Sequence, residues 1–395
     1  MREEDGEASF RVFIVVGEES GDRLGARLMR ALKARCPHVE FSGTAGSGMS
    51  EEGLESLFPL SDVAVMGLTA VLGRLPTIVR RVHQVVDAAL AARPDILVII
   101  DSPDFTHAVA KRIRKRAPHI PIVDYVSPSV WAWRPGRARK MARYVDHLLG
   151  ILPFEPAVHE RLGGPPCSYV GHPLIERLGE LRPAAGERPA PGAGHPVLLV
   201  LPGSRSSEVG RLLQPFGETV ARLKRDFPDL EVLLPTVPHM VERVKQEVAG
   251  WAVAGTVITG EKEKFAAFRR AHAALAASGT VTLELAIAGV PIAVCYKLDW
   301  FYRRLKQINR IIPIVTASSM VLPNIILGRN VVPEFLDDEV APERLVPVLA
   351  DLLRDSVART EQVMAFEEIE ERMVLDNGET PSDRAARIVC EVAGR

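Results

Sequence analysis

Cysteine is scarce in this chain, and its four cysteines, Cys36, Cys167, Cys295 and Cys390, lie far apart in the sequence. They form no CxxC pair and no Cys/His spacing of the kind that binds a metal ion. We therefore expect free thiols and a reducing compartment.

Long apolar runs are also missing. The longest mostly apolar stretch, residues 285–296, has about a dozen residues, whereas a membrane-spanning helix needs roughly 20. Residues 1–9 are polar and acidic and lack the basic and apolar regions of a signal peptide. The sequence therefore predicts a cytoplasmic protein, and any contact with a membrane would be peripheral.

The chain has almost no net charge, because 49 Lys and Arg residues face 50 Asp and Glu residues. No overall field would draw it to nucleic acid, and we expect no such partner. Hydrophobic residues make up 47% of the 395 positions and charged residues 25%, which is ordinary for a globular protein and excludes disorder. This length predicts two domains rather than one core.

What the sequence does contain is a repeated alternation of β-branched apolar runs with amphipathic helical patterns. Predicted strands at 10–16, 95–100, 196–201 and 273–276 are each followed by a predicted helix or loop and helix. This order is typical of parallel sheets covered by helices on both faces. We predict the α/β class with two Rossmann-like domains, whose parallel sheets face a central cleft that binds the ligands.

Proline and glycine are concentrated in one segment, residues 181–195 (LRPAAGERPAPGAGH). We predict that this segment links an N-terminal domain, 1–180, to a C-terminal domain, 196–365. Residues 366–395 are predicted to form a helical segment that packs back on the N-terminal domain.

Polar residues follow two predicted strands of the first half. Glu18 and Ser20 lie in the turn GEESGD, where the dinucleotide fingerprint GxGxxG is absent. Ser20 or Asp22 would cap the next helix, or the turn would bind a hydroxyl-rich ligand. Asp101 directly follows strand 95–100, so it is placed either as a general base or as an acceptor for N–H groups of its own loop.

The second half offers two candidate anion sites. Gly203, Ser204 and Arg205 lie between a strand and a helix, where N–H groups, helix dipole and guanidinium would together attract an anion. Helix capping is the alternative. A second loop opens a helix with two hydroxyls, and a carboxylate one turn later could hold the hydroxyls of a ribose; these residues are Ser278, Gly279, Thr280 and Glu284. Together they suggest a sugar nucleotide.

Two further loops stand out. Residues 125–134 (YVSPSVWAWR) place two of the four Trp residues in one proline-containing loop, as core or as part of a site. Asn324, between apolar neighbours, is by itself best explained as a turn residue.

Surface character differs along the first half. Ten basic residues and one acidic residue, Asp124, lie between positions 111 and 143, which ordinarily marks solvated helix faces. Residues 63–75 (VAVMGLTAVLGRL) are apolar and followed by arginines, so they form either a buried helix or a segment in the membrane interface. Residues 300–312 have a similar composition. The predicted membrane-facing residues are Val65, Met66, Leu68, Val71, Leu72 and Leu75.

The ordered set of loops resembles the lipid-A-disaccharide synthase family of inverting glycosyltransferases, which have the GT-B fold. The matching stretches run in order from residue 17 to 324, and they are GEESGD, MGLTAVLGRLP, IDSPDF, YVSPSVWAWR, LPFE, VGHP, LPGSR, ASGTVTLE and LPN. Glu19 and Asp337 depart from the family pattern.

This resemblance implies transfer of 2,3-diacylglucosamine from its UDP derivative to 2,3-diacylglucosamine 1-phosphate without a metal or other cofactor. It also implies a protein on the inner surface of the cytoplasmic membrane, with a monomer or a homodimer both open. Asp101 would be the base, Glu18 and Ser20 would shape the acceptor side, and further residues would bind the UDP-sugar, namely Gly203, Ser204, Arg205, Ser278, Gly279, Thr280, Glu284 and Asn324.

Two other functions fit part of the pattern. A different GT-B enzyme, such as a UDP-sugar epimerase, would need no lipid-facing segment. A non-catalytic binder of lipid or nucleotide would not need a base such as Asp101.

Overall fold

The computed structural model describes residues 9–64, 68–297 and 319–395. By its internal contacts the chain separates into two units. The first unit contains Met1–Pro173 and Leu375–Arg395, and the second contains Leu174–Val374. Each is built around a parallel sheet.

The first sheet has the strand order β2-β1-β3-β4-β5-β6, with every neighbouring pair parallel. Its central strands are runs of buried Val, Ile, Leu and Phe, the composition expected where helices cover both faces. The strands are β1 (Phe10–Val16), β2 (Val39–Gly43), β3 (Ile96–Ile100), β4 (Ile122–Tyr125), β5 (His147–Gly150) and β6 (Cys167–Tyr169).

The second sheet has the order β12-β11-β10-β7-β8-β9 and is also parallel. Strands β7 and β10 lie at its centre and are buried along their whole length. The strands are β7 (Val197–Leu201), β8 (Glu231–Pro235), β9 (Thr256–Ile258), β10 (Ala273–Ala277), β11 (Ile292–Tyr296) and β12 (Glu334–Leu336).

Helices follow most of the strands. For example, the helix after β3 begins with Pro103, which suits a first turn, and ends with three basic residues that favour the helix dipole. The α-helices of the described ranges are α1 (Glu19–Arg35), α2 (Ser47–Glu51), α3 (Leu68–Ala92), α4 (Pro103–Arg116), α5 (Gly136–Met141), α6 (Glu155–Leu162), α7 (Leu178–Leu181), α8 (Ser206–Asp226), α9 (Val241–Ala249), α10 (Glu261–Arg270), α11 (Val281–Ile287), α12 (Leu322–Leu327), α13 (Pro342–Leu353), α14 (Val357–Met373) and α15 (Pro381–Val392).

This architecture confirms the α/β class and the two Rossmann-like halves. One core of the first unit lies between the sheet and helices α1 and α15, and another lies between the opposite face and helices α3 and α4. A core of the second unit lies between its sheet and helices α8, α9 and α13.

The Pro- and Gly-rich segment does not separate the units at the predicted place. Residues 181–195 lie inside the second unit. Arg188 holds them there, since its guanidinium donates to the carbonyls of Phe268, Arg269, Ala288 and Gly289 over 2.7–3.1 Å. These carbonyls lie at the C-terminal ends of α10 and α11. The last carbonyl groups of a helix lack N–H donors within that helix, and the Arg188 guanidinium supplies donors to them.

The last part of the chain is divided between the units. Residues 366–373 complete α14 in the second unit, while α15 packs against α1 in the first. Side chains of α15 that join the first core include Ala385, Ala386 and Val389.

The predicted membrane-facing residues fall in and before α3. Val65 and Met66 lie outside the described residues, as does the segment 300–312. Leu68, Val71 and Leu72 belong to the first turns of α3, and Leu75 on the same helix has 48% of its surface exposed. Among the helices in the described ranges, none has both the length and the apolar character needed to cross a membrane.

Candidate active site

The carboxyl edge of the first sheet brings together the three residues predicted to be catalytic. Val16 pairs with Ile100, so the turns that follow β1 and β3 start side by side. Ser20 Oγ donates a hydrogen bond to Asp101 Oδ2 over 2.8 Å, and the Glu18 carboxyl group lies near enough to interact with that of Asp101. Burial, followed by the charge of Asp101, raises the pKa of Glu18. The two carboxyl groups and the Ser20 hydroxyl therefore form one polar cluster at this edge.

The two turns are pressed together and strained. A Cβ atom on Gly17 would lie 2.4 Å from Ser102 Oγ, so only glycine fits there. Asp101 and Ser102 both have left-handed backbone angles, with φ of 53° and 45°. Such strain is commonly found at functional sites. Ser102 N–H donates to Asp101 Oδ1 over 2.8 Å, so one carboxylate oxygen serves the loop and the other faces Ser20.

Asp22 has a different role from the cap that the sequence suggested. Neither Ser20 nor Asp22 caps α1. The Asp22 carboxylate is buried and accepts N–H bonds from Gly46, Gly48 and Met49 over 2.7–3.1 Å. It thus fixes the start of α2 beside the first turn, a long-range contact that the local pattern could not reveal.

A buried polar group lies beneath Asp101 and was missed by the sequence reasoning. Asp124 lies on β4, which neighbours β3, and is 1% exposed. His107 Nε2 lies 3.1 Å from Asp124 Oδ2, and His107 Nδ1 lies 2.9 Å from the hydroxyl of Tyr144. Burial raises the pKa of Asp124, and His107 opposes that shift. The sequence did contain a sign of it, because Asp124 is the one charged residue in the buried strand β4.

The predicted anion loop of the second unit is folded around a carboxylate. Glu208 Oε2 accepts the N–H groups of Ser204 and Arg205 at 3.2 Å, and Arg205 Nη1 lies 2.7 Å from Glu208 Oε1. Gly203 has φ of 108°, and a Cβ atom there would meet Glu208 Oε2 at 2.5 Å. The Arg205 side chain is 69% exposed, so it can turn from Glu208 to a ligand.

The second predicted phosphate loop lies beside the first, because Ala276 on β10 pairs with Leu201 on β7. In this loop, Ser278 Oγ donates to the carbonyl of Met320 over 2.6 Å. The exposed residues of the loop are Gly279 and Thr280. The structure thus places both predicted donor-binding loops at one edge of the second sheet.

Glu284 has a partner that the sequence did not indicate. Lys264 Nζ, on α10, lies 2.7 Å from Glu284 Oε2 on α11. The side chains are 25% and 19% exposed. The cation fixes the position of a carboxylate that would otherwise rotate freely.

Asn324 is buried, and its amide is fully hydrogen-bonded within the second unit. Its Nδ2 donates to the carbonyl of Val332 and to Glu334 Oε1, both at 2.9 Å, and its Oδ1 accepts the N–H groups of Val331 and Val332 at 2.9 Å. An amide offers two donors and two acceptor positions, all of which are used here. Asn324 therefore shapes the segment before β12, as a turn residue would.

The two Trp residues of loop 125–134 have different surroundings. Trp131 packs edge-on against Phe154, with ring centres 5.4 Å apart. It also donates to Glu155, whose pKa burial raises to about 7. Trp133 is 43% exposed and carries the Arg134 guanidinium 4.3 Å from its ring centre. Core packing explains the first Trp only.

Metal ligands do not cluster in this part of the chain. Across the described ranges, no group of three or more His, Cys, Asp or Glu side chains is arranged to hold a metal ion.

Comparison with known proteins places these loops in one family. The family model described as lipid-A-disaccharide synthetase matches residues 12–386. The chain belongs to this family. A lipid-A-disaccharide synthase of Rhodopseudomonas palustris is 53% identical over 387 residues, which cover 96% of each chain. The resemblance inferred from the sequence is confirmed, and the chain is a glycosyltransferase of lipid A biosynthesis.

Solved structures of other proteins resemble this chain in fold. A putative UDP-N-acetylglucosamine 2-epimerase from Listeria monocytogenes has a TM-score of 0.61 at 15% identity, over 98% of this chain and 96% of its own. MurG of Acinetobacter baumannii has a TM-score of 0.55 at 11% identity, over 97% of this chain and 99% of its own. At such identities the likeness supports the GT-B type of fold alone.

Proposed function

We propose that the site transfers 2,3-diacylglucosamine from its UDP derivative to the 6-hydroxyl of 2,3-diacylglucosamine 1-phosphate. The products would be a β-1,6-linked disaccharide 1-phosphate and UDP. The observation that carries the mechanism is the hydrogen bond of Ser20 to Asp101 at the carboxyl edge of the first sheet, beside Glu18.

Asp101 acts as the general base. Its Oδ2 takes the proton of the acceptor 6-hydroxyl while that oxygen attacks the anomeric carbon and the bond to UDP breaks with its electrons on the leaving diphosphate. Glu18, whose pKa is raised by burial and by the charge of Asp101, lies beside the base and shapes the acceptor side of the site. Ser20 orients Oδ2 by its hydrogen bond of 2.8 Å.

The donor binds to the two loops of the second sheet. Arg205 leaves Glu208 and pairs with the diphosphate, and the exposed N–H groups of Gly279 and Thr280 add further donors. Glu284, held by Lys264, accepts from the ribose hydroxyls. Gly203, Ser204 and Ser278 set the shape of these loops.

Asn324 is a positioning residue in this scheme. Because its amide is saturated by the segment 331–334, it acts on the donor through the segment that it holds. Charge neutralisation by Arg205 and N–H groups makes a metal ion unnecessary in the proposed reaction.

We also propose that the start of α3 contacts the inner surface of the cytoplasmic membrane. Leu75 and Val79 are one helical turn apart and are 48% and 44% exposed. Arg74 and Arg80 flank them, as suits anionic lipid headgroups. Whether the protein acts as a monomer or as a homodimer is decided by sedimentation of the purified chain.

The direct test supplies the purified protein with both diacylated sugars in detergent and resolves the products by thin-layer chromatography. Disaccharide and UDP in equal amounts support the proposal. A UDP-sugar changed only at one carbon, with no disaccharide, would instead support an epimerase. EDTA should leave the rate unchanged, and a loss that Mg²⁺ restores would contradict the metal-independent step.

A further inference from the structure

A group of positive side chains in the first unit is not used by the mechanism above. Lys111 lies on α4, and Arg137 and Lys140 lie three residues apart on α5. We call these three residues the basic cluster. Arg137 Nη2 donates to Asp104 Oδ1 over 3.0 Å, and Lys111 Nζ lies 5.1 Å from the ring centre of Tyr144.

The basic cluster has an excess of positive charge. Asp104, 98% exposed, is the only ion-pair partner of its members among the residues that the structure describes. Partial burial and then the charges of Arg137, Lys140 and Arg112 lower the pKa of Lys111, which Asp104 only partly opposes. Like charges held together in this way are relieved by a bound anion.

The position of the basic cluster relates it to the base. Asp104 follows Asp101 by three residues, at the start of α4, and Arg137 contacts it there. Lys111 lies seven residues further along α4, about 10 Å away at 1.5 Å per residue. The loop before α5 follows β4, which pairs with β3, so α5 begins at the same edge of the sheet as Asp101. Arg137 therefore contacts the turn of α4 that begins just after Asp101, and the backbone of Lys111 lies about 10 Å further along the helix axis.

We propose that the basic cluster binds the 1-phosphate of the acceptor sugar, with Arg137 as the main contact and Lys111 and Lys140 as supporting charges. A phosphomonoester carries up to two negative charges and three acceptor oxygens, which a guanidinium and two ammonium groups can share. Binding at this site orients the sugar ring so that its 6-hydroxyl, at the opposite side of the ring, faces Asp101. This inference rests on the proposed function, because it assigns one end of the proposed acceptor.

The test compares two acceptors, one with the 1-phosphate and one without it, in detergent that contains no anionic lipid. Arg137→Ala should raise the KM for the phosphorylated acceptor about 10- to 100-fold, the loss expected for a charge-assisted hydrogen bond. It should change the KM for the unphosphorylated acceptor and for the donor by less than about twofold, since neither uses the cluster. Lys111→Ala should act in the same direction with a smaller effect.

Arg143→Ala is the matched control, because Arg143 is exposed in the turn just after α5 and forms no ion pair within the described residues. Its KM values should equal those of the wild type. Equal losses with both acceptors would show that Arg137 only supports the fold, and an unchanged KM would show a solvated helix face; either result overturns the proposal. Variants that retain both KM values but no longer bind vesicles of phosphatidylglycerol would assign the cluster to lipid headgroups, which also overturns it.

Binding without catalysis separates this proposal from the proposed function. Calorimetric titration with glucosamine 1-phosphate, and with glucosamine as the blank, requires no transfer. If the wild type forms no disaccharide but binds glucosamine 1-phosphate, and Arg137→Ala loses that binding, the proposed function fails and the cluster stands. If transfer occurs and Arg137→Ala behaves as the wild type, the cluster alone fails.

Discussion

The hydroxyl of Ser20 donates to Oδ2 of Asp101 over 2.8 Å, across two turns that begin on paired strands. The contact selects one carboxylate oxygen for chemistry, since Oδ1 already accepts the N–H of Ser102. It therefore fixes both the position and the rotamer of the proposed base.

Replacing Asp101 tests the proposed base. Asp101→Ala should lower kcat by about 10² to 10⁴, the usual contribution of a general base, while UDP affinity stays nearly constant. Product formation and calorimetry with UDP measure the two effects. Asp87→Asn, at an exposed carboxylate on α3 that pairs with Arg116, is the control and should retain full activity. Wild-type turnover by Asp101→Ala would exclude Asp101 as the base.

Arg205 should govern UDP affinity. Arg205→Ala should weaken UDP binding by about 1.5–3 kcal/mol, because a charge-assisted hydrogen bond to the diphosphate is lost. Arg225→Ala, at the other end of α8, removes the same charge away from the loop and should leave the affinity unchanged. If the two variants bind UDP equally well in calorimetry, Arg205 has no phosphate role.

His159 should make stability depend on pH. Its side chain is fully buried, its Nε2 lies 2.8 Å from Ser127 Oγ, and burial lowers its pKa to about 4. Since the unfolded pKa is about 6.5, the neutral folded form contributes stability that is complete above pH 6.5 and lost as pH falls towards 4. The loss would be at most about 3 kcal/mol.

The variant that checks this dependence is His159→Gln, which places an amide near Ser127 but does not titrate. Its unfolding free energy, from urea titrations, should fall less than that of the wild type between about pH 6.5 and pH 4. His119→Gln changes an exposed histidine and should follow the wild-type curve. Parallel curves for all three proteins would remove His159 as the source.

The start of α3 should control membrane association. Replacing Val71 and Leu72 by Ser should reduce co-sedimentation with vesicles, because apolar area that enters the interface is lost. Transfer in detergent should be retained. Thr77→Ser on the same helix is a mild control that leaves the apolar residues in place. Unchanged co-sedimentation of the double variant would mean that this segment does not contact lipid.

Much of the fold and the location of the site could be predicted from the sequence, because strands followed by polar loops are local patterns. Strand order in a parallel sheet brings loop residues together even when they are far apart in the chain, as for Ser20 and Asp101. A strand followed by a polar loop is a local pattern and can be read directly.

Pairings between side chains on different elements could not be predicted in this way. Lys264 meets Glu284 only because α10 and α11 are neighbours in the folded unit, and Asp22 reaches across to the start of α2. Likewise, the composition of 181–195 is typical of a linker, but it does not reveal that Arg188 is anchored to helix ends of the second unit. These features depend on tertiary packing.

The packing of α15 on α1 has a consequence for the order of events during synthesis. The second unit is a continuous stretch of chain, whereas the first is interrupted by it and needs α15 to complete a core. The nascent first unit must therefore wait, with one face of α1 uncovered, until the whole of the second unit has left the ribosome. A premature stop codon shortly after residue 374 would therefore destabilise the first unit, which carries Asp101, although that unit is encoded mainly at the start of the gene. The second unit would be complete.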